Sequence, residues 1–518
     1  MRIRFGVVFV ALLVVTSHAN AQANFRFYEP VEPPRKIQVV VERGMAIAAP
    51  ENSASAIEMC IRDYCEWARI DVRLTKDGHH VVIHDETVDR TTDGKGRVAD
   101  LTLEELKKLD AGASFAKRFT GTRILTLPEV LALAKGKINL QLNCNAIEPK
   151  RLCDEITASG MERQVIVSAA PETLARVREA SGGMVACIAK YDPKSKPIEQ
   201  FVKDVAPAAA EIGAEEATPD LCRQLHSAGV KVQISLPGEK WDNAKLREQA
   251  FASGVDWIVT DDPASVLYFN FHRAYGNLPV KVSAHRGTNR YAPENTVASI
   301  RGAARTGVDF AEIDIRTTRD GKLVLLHDST LNRTTPGKGP VRQVTFAEAT
   351  ALSAGTWFGK PFRDTHVPSF DDGLTALGDT CGVYLDSKDI APDALLAAIH
   401  KYHLEDRHVV YQSASYCDNL HKLDSTVRTL PPLRKLDQLD SVAAVKPYGV
   451  DAEWTILSKE MIAKCHERGI KVFSDALGKN EKIEEYQKAM DWGIDCIQTD
   501  YPLRVLRAVE LRKAHSSK

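Results

Sequence analysis

Ala292-Pro293-Glu294-Asn295, Arg319-Asp320-Gly321, Leu326-His327-Asp328 and Arg333-Thr334-Thr335 follow one another in the second half of the chain, and each has a counterpart in the first half. The counterparts are Ala49-Pro50-Glu51-Asn52, Lys76-Asp77-Gly78, Ile83-His84-Asp85 and Arg90-Thr91-Thr92, all 243 residues earlier. A constant offset over four separate motifs means that one domain occurs twice. The offset drifts only slightly later on, where Gly229-Val230-Lys231-Val232 matches Gly469-Ile470-Lys471-Val472 and Thr260-Asp261-Asp262-Pro263 matches Thr499-Asp500-Tyr501-Pro502. Each copy is roughly 230 residues long, close to the ~250 typical of an eight-stranded α/β barrel.

Strand-like runs alternate with amphipathic ones in the second copy. Val280 to Ala284 precedes His285, Phe310 to Arg316 carries Glu312 and Asp314, and Gly382 to Leu385 precedes Asp386. Val409 to Tyr411, Gly469 to Phe473 and Cys496 to Gln498 continue the series, with helical stretches such as Ser458 to Arg468 between them. Strand, helix, strand in this rhythm predicts a parallel sheet with helical crossovers. Polar motif residues fall at the ends of several strands, which favours closed barrels with a site on the C-terminal face; an open doubly wound sheet is the alternative. The expected fold is therefore α/β, as two tandem TIM-like (β/α)8 barrels over residues 36–270 and 280–511, joined near 271–279.

Bulk properties narrow the function. The 518 residues are too many for one core, and 44% apolar with 26% charged residues is an ordinary globular composition. A net charge of -1 offers no basic field for a phosphate backbone, so nucleic acid is not an expected partner. Arg2 and Arg4, the apolar run Phe5 to Val15 and the small residues Ala19-Asn20-Ala21 predict a signal peptide over 1–21, and hence export to the periplasm or the medium. That run is short for a membrane span and no later segment resembles one, so no stable membrane insertion is expected. Export permits disulfides among the ten cysteines, six before residue 270 and four after it, with buried free thiols as the alternative.

Chemistry concentrates in the second copy. Glu312 and Asp314 alternate with Ile313 and Ile315, so both carboxylates leave one face of a strand. With Asp386 at the end of another strand they make an oxygen-rich set suited to one divalent cation, Mg²⁺ or Ca²⁺; pairing with arginines such as Arg316 is the alternative. His285 and His327 each follow a strand. Two imidazoles beside a metal are what phosphodiester cleavage requires, one to take the nucleophile's proton and one to protonate the leaving oxygen. Arg286 and Lys388 add donors for non-bridging phosphate oxygens.

The ordered set His285-Arg286-Gly287, Pro293-Glu294-Asn295-Thr296, Glu312-x-Asp314, Asp320-Gly321, His327-Asp328, Arg333-Thr334-Thr335 and Thr499-Asp500-Tyr501-Pro502 resembles the glycerophosphodiester phosphodiesterase family over residues 281–510. The resemblance implies barrels of the phosphodiesterase type that use one divalent cation and two histidines on deacylated phospholipids. It assigns metal ligation to Glu312 and Asp314 and catalysis to His285 and His327. The family's third ligand is usually a glutamate two residues before a lysine; Leu385-Asp386-Ser387-Lys388 supplies Asp386 instead. An aspartate there is also similar to sphingomyelinase D enzymes, which keeps a lysophospholipid or sphingolipid substrate open. A secreted, non-catalytic binder of phosphorylated ligands is the reading from another class, and it gives no reason for two histidines plus three carboxylates.

Read against the second copy, the first has Glu42 for His285, Arg69 for Glu312, Gln141 for Asp386 and Asn143 for Lys388, keeping only Asp71 and His84. An arginine cannot ligate a cation. The first barrel is therefore expected to be degenerate and silent in this chemistry, a scaffold or docking partner; Arg43, Arg69 and His84 holding an anion is the alternative.

Overall fold

Val39, Val40 and Val41 are buried without alternation, the pattern of a parallel strand covered on both faces. In the computed structural model, which describes residues 25–516, such strands close two barrels, and the chain divides between Pro263 and Ala264. The expected signal peptide lies outside the described residues. Among those described, no helix is long and apolar enough to cross a membrane, and the ten cysteines are buried free thiols.

The first unit contains β1 (Gln38–Glu42), β2 (Trp67–Leu74), β3 (His80–Val82), β4 (Asn139–Cys144), β5 (Val165–Ser168), β6 (Ala186–Lys190), β7 (Ala209–Glu211), β8 (Lys231–Ser235) and β9 (Trp257–Thr260). Eight of these pair in parallel in chain order, and β9 returns to β1, which closes the sheet. The remaining one, β3, folds back antiparallel on the end of β2.

The second unit repeats the plan with β10 (Lys281–Ala284), β11 (Phe310–Thr317), β12 (Leu323–Leu325), β13 (Gly382–Asp386), β14 (His408–Tyr411), β15 (Thr429–Leu430), β16 (Pro432–Leu433), β17 (Gly449–Ala452), β18 (Lys471–Asp475) and β19 (Cys496–Thr499). Closure runs through β19 pairing with β10, so the open doubly wound alternative does not apply. The fifth stave is split: β15 pairs with β14, β16 pairs with β17, and Pro431 stands between them. Pro431 and Pro432 have no N–H to give a ladder, which interrupts the strand without opening the barrel.

Side chains fill both interiors. Phe310, Tyr384, Val409, Leu430, Phe473 and Cys496 pack together in the second barrel. In the first, Trp67 and Trp257 lie 4.7 Å apart between ring centroids, and Phe27 packs edge-on to both. The helix Pro263–Tyr275 follows the last strand of the first repeat, yet most of it falls on the second side of the division, where the buried Tyr268 hydroxyl donates to the Pro502 carbonyl at 3.0 Å. The repeat boundary in sequence and the boundary between compact units thus differ by about one helix.

The hairpin formed by β11 and β12 leads into an excursion with its own apolar cluster of Val324, Leu326, Leu331, Val341, Ala349, Ala354 and Val367. This satellite core holds the His327 segment over the mouth formed by β11. Val81, Ile83, Val88, Val98, Leu106 and Ile124 do the same for His84 in the first barrel.

Candidate active site

Glu312 and Asp314 sit two apart on β11, and Asp314 is the register partner of Asp386 on β13. One oxygen from each of the three carboxylates lies within 4.8 Å of the others, the one such cluster among the described residues. Neighbouring groups hold each acid in place. The Arg286 N–H donates to Glu312 Oε2 at 2.6 Å. Asn295 clasps Asp314 from both sides, giving Nδ2–H to Oδ2 at 2.6 Å and accepting the Asp314 N–H at 2.9 Å. The Lys388 ammonium bonds Asp386 and lies 3.1 Å from Asp314, so it is turned onto the acids rather than held out as a free donor.

Crowding three carboxylates in a buried corner is electrostatically costly. Burial, with Asp314 and Asp386 beside it, pushes the Glu312 carboxyl well above its usual range. Burial and Asp314 push Asp386 up to about 6. Asp314 moves the other way: burial opposes its ionisation, but Lys388, His327 and the Asn295 hydrogen bond outweigh that and lower it. A hard-oxygen donor set with surplus negative charge fits a divalent cation.

The two histidines are oriented by carboxylates. His285 Nδ1 is 2.7 Å from Asp500 Oδ1, and Asn289 also donates to that oxygen. His327 Nδ1 is 2.8 Å from Asp328 Oδ1. An ionised carboxylate only accepts, so each neutral imidazole carries its proton on Nδ1 and presents Nε2 as an acceptor. Burial lowers the His327 imidazole despite Asp314 and Asp328, favouring that neutral form. Burial opposes the ionisation of Asp500, but His285, the Asn289 hydrogen bond and Arg290 together outweigh it and hold the carboxyl below its usual range.

Behind the histidines runs a chain of ion pairs. Arg333 donates through Nε to Asp328 at 2.9 Å and through Nη1 to Glu294 at 2.6 Å, and Glu294 in turn accepts from Arg286 Nη1 at 2.9 Å. Arg286 Nε lies 3.7 Å from Asp314. The loop that makes this possible is tight: Arg286 has φ 54° and Gly287 φ 74°. A Cβ on Gly287 would lie 2.6 Å from the Ser299 carbonyl carbon, so a side chain there is excluded.

Six of the seven residues singled out in the sequence, Arg286, Glu312, Asp314, His327, Asp386 and Lys388, are linked through these contacts at one mouth of the second barrel, and His285 stands beside them as the chain neighbour of Arg286, with its ring on Asp500. Asp500, Asn295, Glu294 and Arg333 were not assigned roles in advance, although each lies inside a quoted motif. The signal was present without its meaning, because 215 residues separate His285 from Asp500.

One reading of the first copy is corrected by strand register. Arg69 pairs with Gln141 as Glu312 pairs with Tyr384, and Asp71 pairs with Asn143 as Asp314 pairs with Asp386. Gln141 thus replaces Tyr384, and Asn143 replaces Asp386; Asn145 falls where Lys388 stands. The third carboxylate position is an amide, and its Nδ2–H donates to Asp71 at 2.8 Å.

The model of the glycerophosphoryl diester phosphodiesterase family matches residues 43–265 and again 285–504. The chain belongs to this family. It is a tandem glycerophosphodiester phosphodiesterase-type protein, a phosphoric diester hydrolase by class. A glycerophosphodiester phosphodiesterase of Caldanaerobacter subterraneus subsp. tengcongensis is 34% identical over 244 residues, covering 45% of this chain and 97% of the relative. One from Bacillus subtilis is 30% identical over 246 residues, covering 42% and 83%. The crystal structure of a glycerophosphodiester phosphodiesterase from Agrobacterium tumefaciens is 26% identical with a TM-score of 0.41, covering 44% of this chain and 97% of that one.

Proposed function

We propose that the second barrel hydrolyses glycerophosphodiesters to glycerol 3-phosphate and an alcohol, with His285 and His327 as the acid/base pair and one divalent cation, Mg²⁺ or Ca²⁺, held by Glu312, Asp314 and Asp386. The observation that carries this reading is the convergence of the three carboxylates beside two imidazoles that each rest on their own aspartate.

One imidazole Nε2 accepts the proton of the glycerol 2-hydroxyl as that oxygen attacks phosphorus, and the other, protonated, delivers a proton to the departing headgroup oxygen. A cyclic phosphate results, and water opens it with the two roles exchanged. Asp500 and Asp328 keep the rings oriented and stabilise each imidazolium as it forms. Arg286 offers N–H donors to the non-bridging oxygens, and Lys388, with two of its N–H groups turned onto Asp314 and Asp386, has its third left for them. The bound cation supplies charge neutralisation at those oxygens. The first barrel, with Glu42, Arg69 and Asn143 in the corresponding places, takes no part in the chemistry, and the protein acts outside the cytoplasm.

Release of glycerol phosphate by the purified full-length protein, measured over a panel of glycerophosphodiesters with and without chelator, tests this. Turnover lost on chelation and restored by Mg²⁺ or Ca²⁺ is the expected result. Turnover that survives exhaustive chelation would overturn the metal assignment, and no turnover of any diester would overturn the hydrolase reading of this barrel.

A further inference from the structure

Beside the carboxylate cluster a cavity of about 280 Å³ opens among the ends of β14, β16, β17 and β18, its wall including Tyr411, Arg434, Asp451, Trp454 and Asp475. It adjoins the cluster directly. Tyr411 is the register partner of Asp386, and Asp451 accepts the hydroxyl proton of Tyr384, which in turn is the register partner of Glu312. At this size the space suits a small polar group rather than an acyl chain, since drug-sized ligands occupy roughly 300–1,000 Å³.

The charge on the wall is unbalanced. Arg434 is matched by Glu453 at 2.7 Å. Asp451 and Asp475 have only neutral hydrogen-bond donors, the Tyr384 hydroxyl and the Gln498 amide at 2.7 Å, and no lysine or arginine nitrogen among the described residues lies within 4.0 Å of either. Burial and Asp475 push the Asp451 carboxyl well above its usual range, and burial and Asp386 push Asp475 up to about 7, with Arg434 and Lys388 opposing this only from beyond contact distance; an ammonium group brought between the two acids would hold them ionised. The aromatic component is held in place: the Trp454 indole N–H donates to Glu485 at 3.3 Å and its ring stands edge-on to Tyr486. Aromatic faces next to carboxylates are what an organic ammonium group prefers.

The first barrel serves as an internal control. By strand register Ser168 stands at the position of Tyr411, Ala214 at that of Trp454 and Ser235 at that of Asp475. Glu211 keeps a carboxylate at the position of Asp451, 3.7 Å from the Arg69 guanidinium, so what is confined to the barrel with the carboxylate cluster is the aromatic pair and the second acid, Asp475.

We propose that this cavity receives the leaving headgroup and selects a small alcohol bearing an ammonium group, primary or quaternary, through Asp451, Asp475, Tyr411 and Trp454. The inference rests on the hydrolase reading of the second barrel and adds the class of substrate. Its test is kcat/KM of the full-length protein for glycerophosphocholine and glycerophosphoethanolamine against glycerophosphoglycerol and glycerophosphoinositol. The cationic diesters are expected to be preferred by about tenfold or more, with Trp454→Ala and Asp475→Asn each cutting that ratio several-fold and Trp454→Phe retaining most of it. Equal turnover of cationic and neutral diesters, or variants that lower both in parallel, would overturn the headgroup assignment while leaving the hydrolase reading intact. No turnover of any diester would overturn both.

Discussion

The two barrels share more of the site's framework than their chemistry would suggest. In the second, His327, Asp328, Arg333, Glu294 and Arg286 form a continuous chain of contacts; in the first, His84, Asp85, Arg90, Glu51 and Arg43 form the same chain, with His84 2.7 Å from Asp85 and Arg90 2.6 Å from Glu51. The Asn295 clasp on Asp314 recurs as Asn52 on Asp71, and Arg43 and Arg286 both have φ 54°. What differs at the acids and histidines is Arg69 for Glu312, Asn143 for Asp386, Asn145 for Lys388 and Glu42 for His285. In the first barrel the Arg69 guanidinium lies 3.5 Å from Glu42 and 3.7 Å from Glu211, so a built-in cation stands where the second barrel gathers carboxylates. Much of what reads as catalytic signature is thus loop architecture, since it persists where the ligands have gone.

The comparison can be broken most sharply at the histidines. His285→Ala or His327→Ala is expected to lower kcat by about 10²–10⁴-fold, the usual range for a lost acid/base, while His84→Ala leaves turnover within about twofold. A large loss from His84→Ala would mean that the first barrel is not silent. Next in size is Arg69→Glu, which places a carboxylate beside Glu42 and Glu211 and removes the guanidinium that pairs with both; urea unfolding should show the first barrel destabilised by about 3–5 kcal/mol. Little change there would show that the arginine does not carry this charge cluster.

Cation binding separates the barrels more gently. Mg²⁺ or Ca²⁺ at about 100 times its Kd should stabilise the second barrel by ~2.7 kcal/mol and leave the first unmoved, which hydrogen exchange resolved by segment can read. Equal protection of both would contradict the difference between Arg69 and Glu312. The smallest effect lies in what the barrels share. The Arg90 guanidinium holds Asp85 at about 2, and Arg333 holds Asp328 lower still. A carboxyl depressed on folding adds stability above its unfolded value of about 4, and that contribution fades as pH falls through the folded value. These aspartates are partly exposed and their arginine partners more so, so after screening Asp85→Asn and Asp328→Asn should each cost only about 1 kcal/mol at neutral pH and flatten the acid limb between about pH 4 and 2. Unequal acid limbs would show that the shared chain is not equivalent in the two copies.

Most of the architecture could be read from local pattern, because strand alternation, helix faces and a 243-residue self-match are properties of neighbouring residues and of the offset between copies. The β15–β16 stave and β17 were not anticipated: Pro431-Pro432 argues locally against a strand, and only the flanking strands β14 and β17 make two-residue pairings worthwhile. The misplacement of Gln141 and Asn143 has a similar origin, since which residue stands opposite Asp71 is a matter of register between strands.

By itself the sequence determined that there are two copies of one α/β barrel, which copy keeps both histidines and all three acids, and where along each strand those groups fall. Tertiary structure alone decided that Asp500 supports His285 across 215 residues, that Asn295 and Lys388 close on Asp314, and that Asp451, Asp475 and Trp454 share a wall next to the acids. The reason is physical: residue type and periodicity are encoded locally, whereas hydrogen-bond partners and the field at a buried carboxylate depend on which distant strands become neighbours when the barrel closes.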